Sequence, residues 1–239
     1  MREKWPWWIV VGGRQRLGLA LAQELACEHN LVLTSSQPWR DEDPWKKQLS
    51  SQTQIRTLHW DASDPALVSQ MMADMEHLGA EGIQFQSAIL VAGIFPEQPF
   101  GSWTAPMLQE IFSTNLAFPM LAAQAMAPHL EDQGALQILL DTAIHRPLSK
   151  RLPYSASKSG LAALVPGLAR LLAPRVRVVG HALGVVLPDE GSDPTHLAEL
   201  NLLKRNGTPK DVLRALRYAA NSPYLTGEVL TLDGGRRWA

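Results

Sequence analysis

Tyr154 and Lys158 stand four residues apart in "YSASK", a spacing that puts both side chains on one face of a helix. An ammonium beside a phenol favours the ionised phenol, so the pair reads as a proton donor working near neutral pH. A second group lies far upstream, where "VVGGRQRLGLALAQEL" runs from an apolar stretch through Gly12, Arg14, Arg16, Leu17 and Gly18 into a helical pattern. Gly12 permits a tight turn and close backbone approach. Gly18 lets the helix pack on the strand and leaves its first amides open to phosphate oxygens. The two arginines add guanidinium groups suited to phosphate.

The next strand, "LVLTSSQPWR", ends in Ser35 and Ser36 with no carboxylate before Asp41. A carboxylate there would accept from an adenosine ribose and repel a 2′-phosphate, so hydroxyls together with Arg16 favour NADP over NAD. Asp61, in "TLHWDASD", reads equally as an acceptor for an adenine amino group or as a helix N-cap shared with Ser63 or Asp64.

Positioning these residues requires a parallel sheet. Short aliphatic runs are expected as strands at Trp8 to Gly12, Leu31 to Ser35, Ile55 to Trp60, Ser87 to Ala92, Ala135 to Asp141, Val176 to Ala182 and Glu228 to Leu232. Helical periodicity covers Leu17 to His29, Pro65 to Leu78, Ala105 to His129, Tyr154 to Leu172 and Pro209 to Ala220. Such alternation predicts an α/β Rossmann-type, doubly wound parallel seven-stranded sheet with helices on both faces. Two polar stretches, Gln37 to Thr53 and Gly184 to Gly207, interrupt the rhythm. The second, residues 184–207, follows a strand and is expected to be a substrate lid.

With 239 residues, 46% hydrophobic and 19% charged, residues 1–239 are expected to form one domain. A formal net charge of −1 provides no basic field for nucleic acid or an anionic membrane, and the apolar start is too short to span one. Cys27 has no partner for an internal disulfide, which points to a reducing cytoplasm, and its helical pattern predicts inert burial. The seven histidines lack metal-ligand spacing, so no metal site is expected. His145 reads as a solvated loop residue, and Trp5, Trp7 and Trp8 as packing around the first strand or in an oligomer contact.

Taken in order, "VGGRQRLG", Asp61, "VAG" at Val91 to Gly93, Asn115 in "FSTNLAF", "YSASK" and "YLTGEVLTLDGG" resemble the short-chain dehydrogenase/reductase family over essentially the entire chain. The resemblance implies hydride transfer with a nicotinamide, usually in a homotetramer. It implies that Tyr154 donates the proton, that Lys158 holds the cofactor ribose and lowers the tyrosine pKa, and that Asn115 supports a relay water. It also brings Ala92, Gly93, Leu183 and Val185 beside the cofactor. Departures accompany it: Asp141 takes the place of the usual serine, Val91 of an asparagine, Val11 of a threonine, and Leu183–Gly184 of a proline–glycine pair.

Pteridine reductases and the bacterial dihydromonapterin reductases are similar at three of the unusual positions. Arg16 replaces a glycine, Asp141 matches their catalytic aspartate, and Phe95 matches the aromatic that sandwiches the pterin. A serine usual in that branch is Gly93 here. The resemblance implies an NADP(H)-dependent reductase of a small pterin-like substrate, with Asp141, Tyr154 and Phe95 at the substrate. A reductase of another carbonyl or imine, and a noncatalytic NADP-binding protein, stand beside that reading.

Overall fold

The computed structural model describes residues 5–40 and 44–239. Seven strands form one sheet: β1 Trp7–Val11, β2 Asn30–Ser35, β3 Ile55–His59, β4 Phe85–Leu90, β5 Leu130–Asp141, β6 Val176–Leu183 and β7 Val229–Leu232. Their order is β3-β2-β1-β4-β5-β6-β7, and every pairing is parallel. The chain winds outward from β1 to β3, returns to lay β4 against β1, and then winds the other way. The point where the direction reverses is where ligands bind in such sheets. Because all strands run the same way, Gly12, Ala92, Asp141 and Leu183 emerge at one edge although they are spread over the sequence.

Alternation along the strands divides the core. Ile9, Val11, Leu136, Ile138 and Leu140 face one layer, where α3 (Leu67–Ala80), α5 (Phe118–Met126) and α6 (Leu152–Leu172) bury Met71, Met75, Ala122, Leu161 and Val165. Trp8, Val10, Leu31, Leu33, Ile89 and Leu139 face the other, covered by α1 (Arg16–Leu25) and α8 (Pro209–Ala220) through Leu21, Leu25, Val212 and Leu216. The central strands are therefore apolar on both faces, as a sheet covered on both sides requires, while the edge strands β3 and β7 are only partly buried.

The structure departs from the sequence reading in four places. The polar stretch from Gln37 to Thr53 contains a helix, α2 (Pro44–Gln52), which buries Leu49 but carries too few apolar residues to show a period. The first helix stops at Leu25, so Cys27 lies in a turn and is exposed where burial was expected. The expected helix from Ala105 to His129 is broken: α4 (Ala105–Phe112) passes into a π turn at Ser113–Ala117, then α5, then a short 3-10 turn at Ala127–His129. Last, β5 begins at Leu130, opposite Phe85, and reaches its regular register only at Ala135 after an irregular stretch in which Gln133 has φ 62°.

The segment 184–207 contains α7 (Pro194–Glu199), whose N-cap Asp193 accepts from the amides of Thr195 and His196. Its neck is closed by the Gly207 amide donating to the Val185 carbonyl at 2.8 Å. Among the described residues no helix is long and apolar enough to cross a membrane.

Candidate active site

The turn after β1 is built by close contact. Gly12 has φ +89°, and a Cβ there would lie 2.9 Å from the Ala92 nitrogen, so the β1 turn and the end of β4 touch through backbone. Gly18 is more constrained still, since a Cβ on it would stand 2.0 Å from the Gly12 carbonyl oxygen. Gln15, the N-cap of α1, offers no side-chain cap, and no acidic residue occupies the first turn. The first amides of α1 thus remain available to an anion at the positive end of the helix dipole. These features fit a dinucleotide phosphate.

Arg16 has φ 47°, a left-handed backbone in a position where the resembled family carries glycine. A non-glycine residue held there costs on the order of 1 kcal/mol. What Arg16 provides in return is a long-range tie: its Nη2 donates to Asp189 Oδ1 at 2.7 Å and to the Leu187 carbonyl at 3.0 Å. The guanidinium expected to meet a phosphate is held by the 184–207 segment. Arg14 is partly buried within the turn, and Leu17 packs against the core beneath it.

Other expected cofactor residues differ in their freedom. Ser35 is buried at the end of β2, its Oγ accepting from the Gln37 amide at 2.9 Å, while Ser36 is exposed beside it. Asp61 is folded onto its own loop, its Oδ1 accepting from the Ser63 amide at 2.9 Å and the Ser63 hydroxyl at 2.8 Å. It therefore closes a local turn and is not the cap of the following helix, whose N-cap is Ala66. Leu183 ends β6 opposite Asp141, and Val185 follows at the neck of the 184–207 segment.

Asp141, the last residue of β5, and Tyr154, in the first turn of α6, meet at the same edge. The phenol donates to Asp141 Oδ2 at 3.0 Å, and Oδ1 accepts from the Ala143 amide at 2.6 Å. One carboxylate oxygen is thus fixed by backbone while the other faces the phenol. Burial raises the Asp141 carboxyl above its usual range, against the amide and phenol hydrogen bonds that favour its charged form. Burial pushes the Tyr154 phenol well above 10, and the adjacent Asp141 charge pushes it further. The sequence reading had Lys158 lower that pKa, and here geometry overrides it. Lys158 Nζ lies 6.0 Å from the phenol ring centroid and donates to the Leu139 carbonyl at 3.2 Å, whereas the carboxylate is in direct contact. Lys158 is itself buried, which lowers its pKa to about 8.

Asn115 is fully buried within the π turn. Its Oδ1 accepts from the Ile94 amide at 2.8 Å and its Nδ2 donates to the Ile94 carbonyl at 3.0 Å, a two-point grip on the loop that carries Phe95. The extra residue of a π turn re-aims a side chain that a regular helix would send elsewhere. Gly93 fits beneath it, since a Cβ there would come within 2.9 Å of Asn115 Oδ1, which accounts for glycine in place of serine.

Phe95 stands edge-on to Tyr154 with ring centroids 4.6 Å apart, and the Arg151 guanidinium carbon sits 4.0 Å from the Phe95 centroid. Sequence reasoning did not single out Arg151 or Asp189. Arg151 carried a usable signal, being three residues before Tyr154 and so one helical turn away. Asp189 carried none, since only the folded loop brings it to Arg16.

Residues 13–237 match a family profile described as enoyl-(acyl carrier protein) reductase. The chain belongs to the short-chain dehydrogenase/reductase family. This short-chain oxidoreductase is 27% identical, over 95% of its length and 94% of the relative's, to a Streptomyces violaceoruber protein assigned as ketoacyl reductase 2 of the granaticin polyketide synthase. It is also 27% identical, over 95% of each chain, to a dihydromonapterin reductase of Shigella boydii. Among solved structures, a blue fluorescent protein from a metagenomic library, in complex with NADPH, superposes with a TM-score of 0.85 at 22% identity, covering 99% of each chain. That last likeness is one of fold.

Proposed function

We propose that the protein is an NADP(H)-dependent reductase of a dihydropterin, and the observation that carries the reading is the Asp141–Tyr154 hydrogen bond. A ketone needs a hydroxyl donor beside its developing alkoxide, whereas a dihydropterin C=N bond takes hydride on carbon and a proton on nitrogen. NADPH, when bound, supplies hydride; the chain's own residues supply the proton and the binding surfaces. Gly12, Gly18, the open amides of α1, Arg14, Arg16, Leu17, Ser35, Ser36, Ala92, Gly93, Leu183, Val185 and Lys158 are the residues we assign to that cofactor. Asp61 belongs with them only if it leaves its turn with Ser63.

The raised pKa of Asp141 lets the carboxyl carry a proton closer to neutral pH than an exposed aspartate does. Protonated, it donates to the Tyr154 oxygen, and the phenol proton is then free to pass to a substrate nitrogen. The net step moves one proton from carboxyl to nitrogen and leaves a carboxylate held by the Ala143 amide. Phe95, exposed by 38% and gripped through Asn115, offers a flat apolar face for a bicyclic ring. The likeness to dihydromonapterin reductases supports the same substrate class.

Asp141→Asn keeps a hydrogen-bonding group at the phenol but cannot supply the proton. Turnover of 7,8-dihydropterins should fall roughly a hundredfold, and unchanged turnover in a stopped-flow NADPH oxidation assay would remove the carboxyl from the mechanism. The second reading is a reductase of another carbonyl or imine, favoured by the similarity to the ketoacyl reductase. A panel of dihydrobiopterin, dihydromonapterin, dihydrofolate and simple ketones separates the two.

We further assign residues 184–207 as a substrate lid on a single domain, and a cytoplasmic location consistent with one exposed thiol. A homotetramer is supported by apolar side chains left open on three helices, Phe112 on α4, Met120 on α5 and Leu171 on α6. Light scattering showing a monomer at micromolar concentration would overturn that assembly.

A further inference from the structure

We infer that Arg151 anchors the substrate and selects flat molecules that carry an ionised carboxylate. The inference rests on the reductase reading of the Asp141–Tyr154 site and deepens it by naming a substrate class.

Arg151 has a rigid base. It is the N-cap of α6, its amide donates to the Leu148 carbonyl at 2.8 Å, and its carbonyl accepts from the Ser155 amide at 2.9 Å and the Ser155 hydroxyl at 3.0 Å. A parallel bridge between Gln98 and Arg151 also ties it to the loop that carries Phe95. The backbone is thus tied down on both sides, yet among the described residues the side chain has no polar partner: none of them makes a hydrogen bond or ion pair with the guanidinium, and its Nε is buried without an acceptor. Other arginines each hold a partner: Arg16 holds Asp189, Arg236 holds the Leu197 carbonyl and Asn201 Oδ1, and Arg237, although its Nε is likewise buried without an acceptor, holds Thr231 Oγ1.

Stacking over Phe95 satisfies the guanidinium's face but none of its N–H donors, which project from its rim. A buried donor left unmet is costly, and hydrogen bonds to charged partners are the stronger ones, so an arriving carboxylate gains two parallel bonds where the free protein has none. Placement agrees with the charge pattern. Arg151 and Tyr154 both pack against the Phe95 ring, the guanidinium carbon 4.0 Å and the Tyr154 ring centroid 4.6 Å from the Phe95 centroid. A planar substrate resting beside Phe95 with its reducible bond at the phenol therefore has the Arg151 cation within reach of its rim, where a carboxylate would meet a positive charge.

The test measures binding to the NADPH-loaded protein by calorimetry, using two pairs that differ in one charge: pterin-6-carboxylate against 6-hydroxymethylpterin, and 4-acetylbenzoate against its methyl ester. We expect the acid of at least one pair to bind about tenfold or more tighter than its neutral analogue, from the strength of charged hydrogen bonds. Arg151→Gln should bring that ratio to within about twofold, and Arg151→Lys should leave it between the two, since a point charge cannot make the paired bonds. The wild-type preference should also shrink as salt rises, a readout that needs no variant. A wild-type ratio near one in both pairs, no binding of either acid, or a ratio unchanged in Arg151→Gln would each overturn the inference. So would equal weakening of acid and neutral ligands, which would reduce Arg151 to a prop for Phe95. Failure of both pterins alongside an Arg151-dependent preference in the acetylbenzoate pair would instead sink the pterin reading and leave this one standing.

Discussion

Acidification should destabilise the protein through one buried histidine. His181 lies on β6, fully buried, in a polar chain that crosses three strands: its Nε2 meets Gln137 Oε1 at 2.9 Å, Gln137 Nε2 donates to Ser87 Oγ at 2.7 Å, and Ser87 Oγ donates to the Ala135 carbonyl at 3.1 Å. Because Gln137 presents its oxygen to the histidine, the direction of the chain assigns the proton to Nε2 and leaves Nδ1 bare. That Nδ1 is buried with no partner, so a second proton would place a charge where nothing solvates it. Burial accordingly lowers the His181 pKa from the usual 6.5 to about 4. Between those values the unfolded chain binds more protons than the folded one. The stability is whole above pH 6.5 and is lost as pH falls toward 4. At about 1.4 kcal/mol per pH unit of that gap, the full loss is about 3 kcal/mol, of which about 2 kcal/mol falls between pH 7 and pH 5. Replacing His181 by Leu removes the titration. It also orphans Gln137 Oε1, but that cost is the same at both pH values and cancels. Urea unfolding followed by tryptophan fluorescence at pH 7 and pH 5 gives the difference for each protein. Wild type should lose about 2 kcal/mol more than His181→Leu over this interval, and equal losses would refute the argument.

Further outcomes follow from contacts at the glycine turn. Gly18→Ala places a methyl 2.0 Å from the Gly12 carbonyl, so backbone must move. The variant should lose roughly 3 kcal/mol or fail to fold, read by thermal melting, and NADPH affinity should fall with it. Asp189→Asn removes the negative partner of Arg16 in an exposed ion pair. Exposed pairs are worth about 0.2–1 kcal/mol, so NADPH should bind up to roughly fivefold tighter as the guanidinium is released, with stability nearly unchanged. An unchanged dissociation constant in calorimetry would mean that Arg16 never serves the cofactor.

Much of the fold was legible because its signals are local. Seven apolar runs and the five intervening periods identify the sheet and six helices, α4 and α5 read as one, since burial on both faces of a strand leaves a continuous apolar run that needs no knowledge of neighbours. The missed helix α2 lacks that signal, being polar except for a few contacts, and α7 is a single capped turn and a half inside a polar loop. The break in the Ala105 to His129 helix was also invisible, because a π turn inserts a residue without changing composition. At the site, the Tyr154–Lys158 spacing and the glycine turn were legible for the same local reason.

What the sequence determined by itself is which groups ride on which element: a phenol and an ammonium one helical turn apart, a carboxyl at a strand end, glycines where backbone must come close. Only tertiary structure decided which of them act on one another. It set Asp141 against the phenol and Lys158 against a carbonyl, reversing the expected pull on Tyr154, and it drew Arg16 to Asp189 across 173 residues of chain. The physical reason is that helical and strand periods are written in neighbouring residues, whereas Coulomb interaction and desolvation depend on distance through space, which no spacing along the chain encodes.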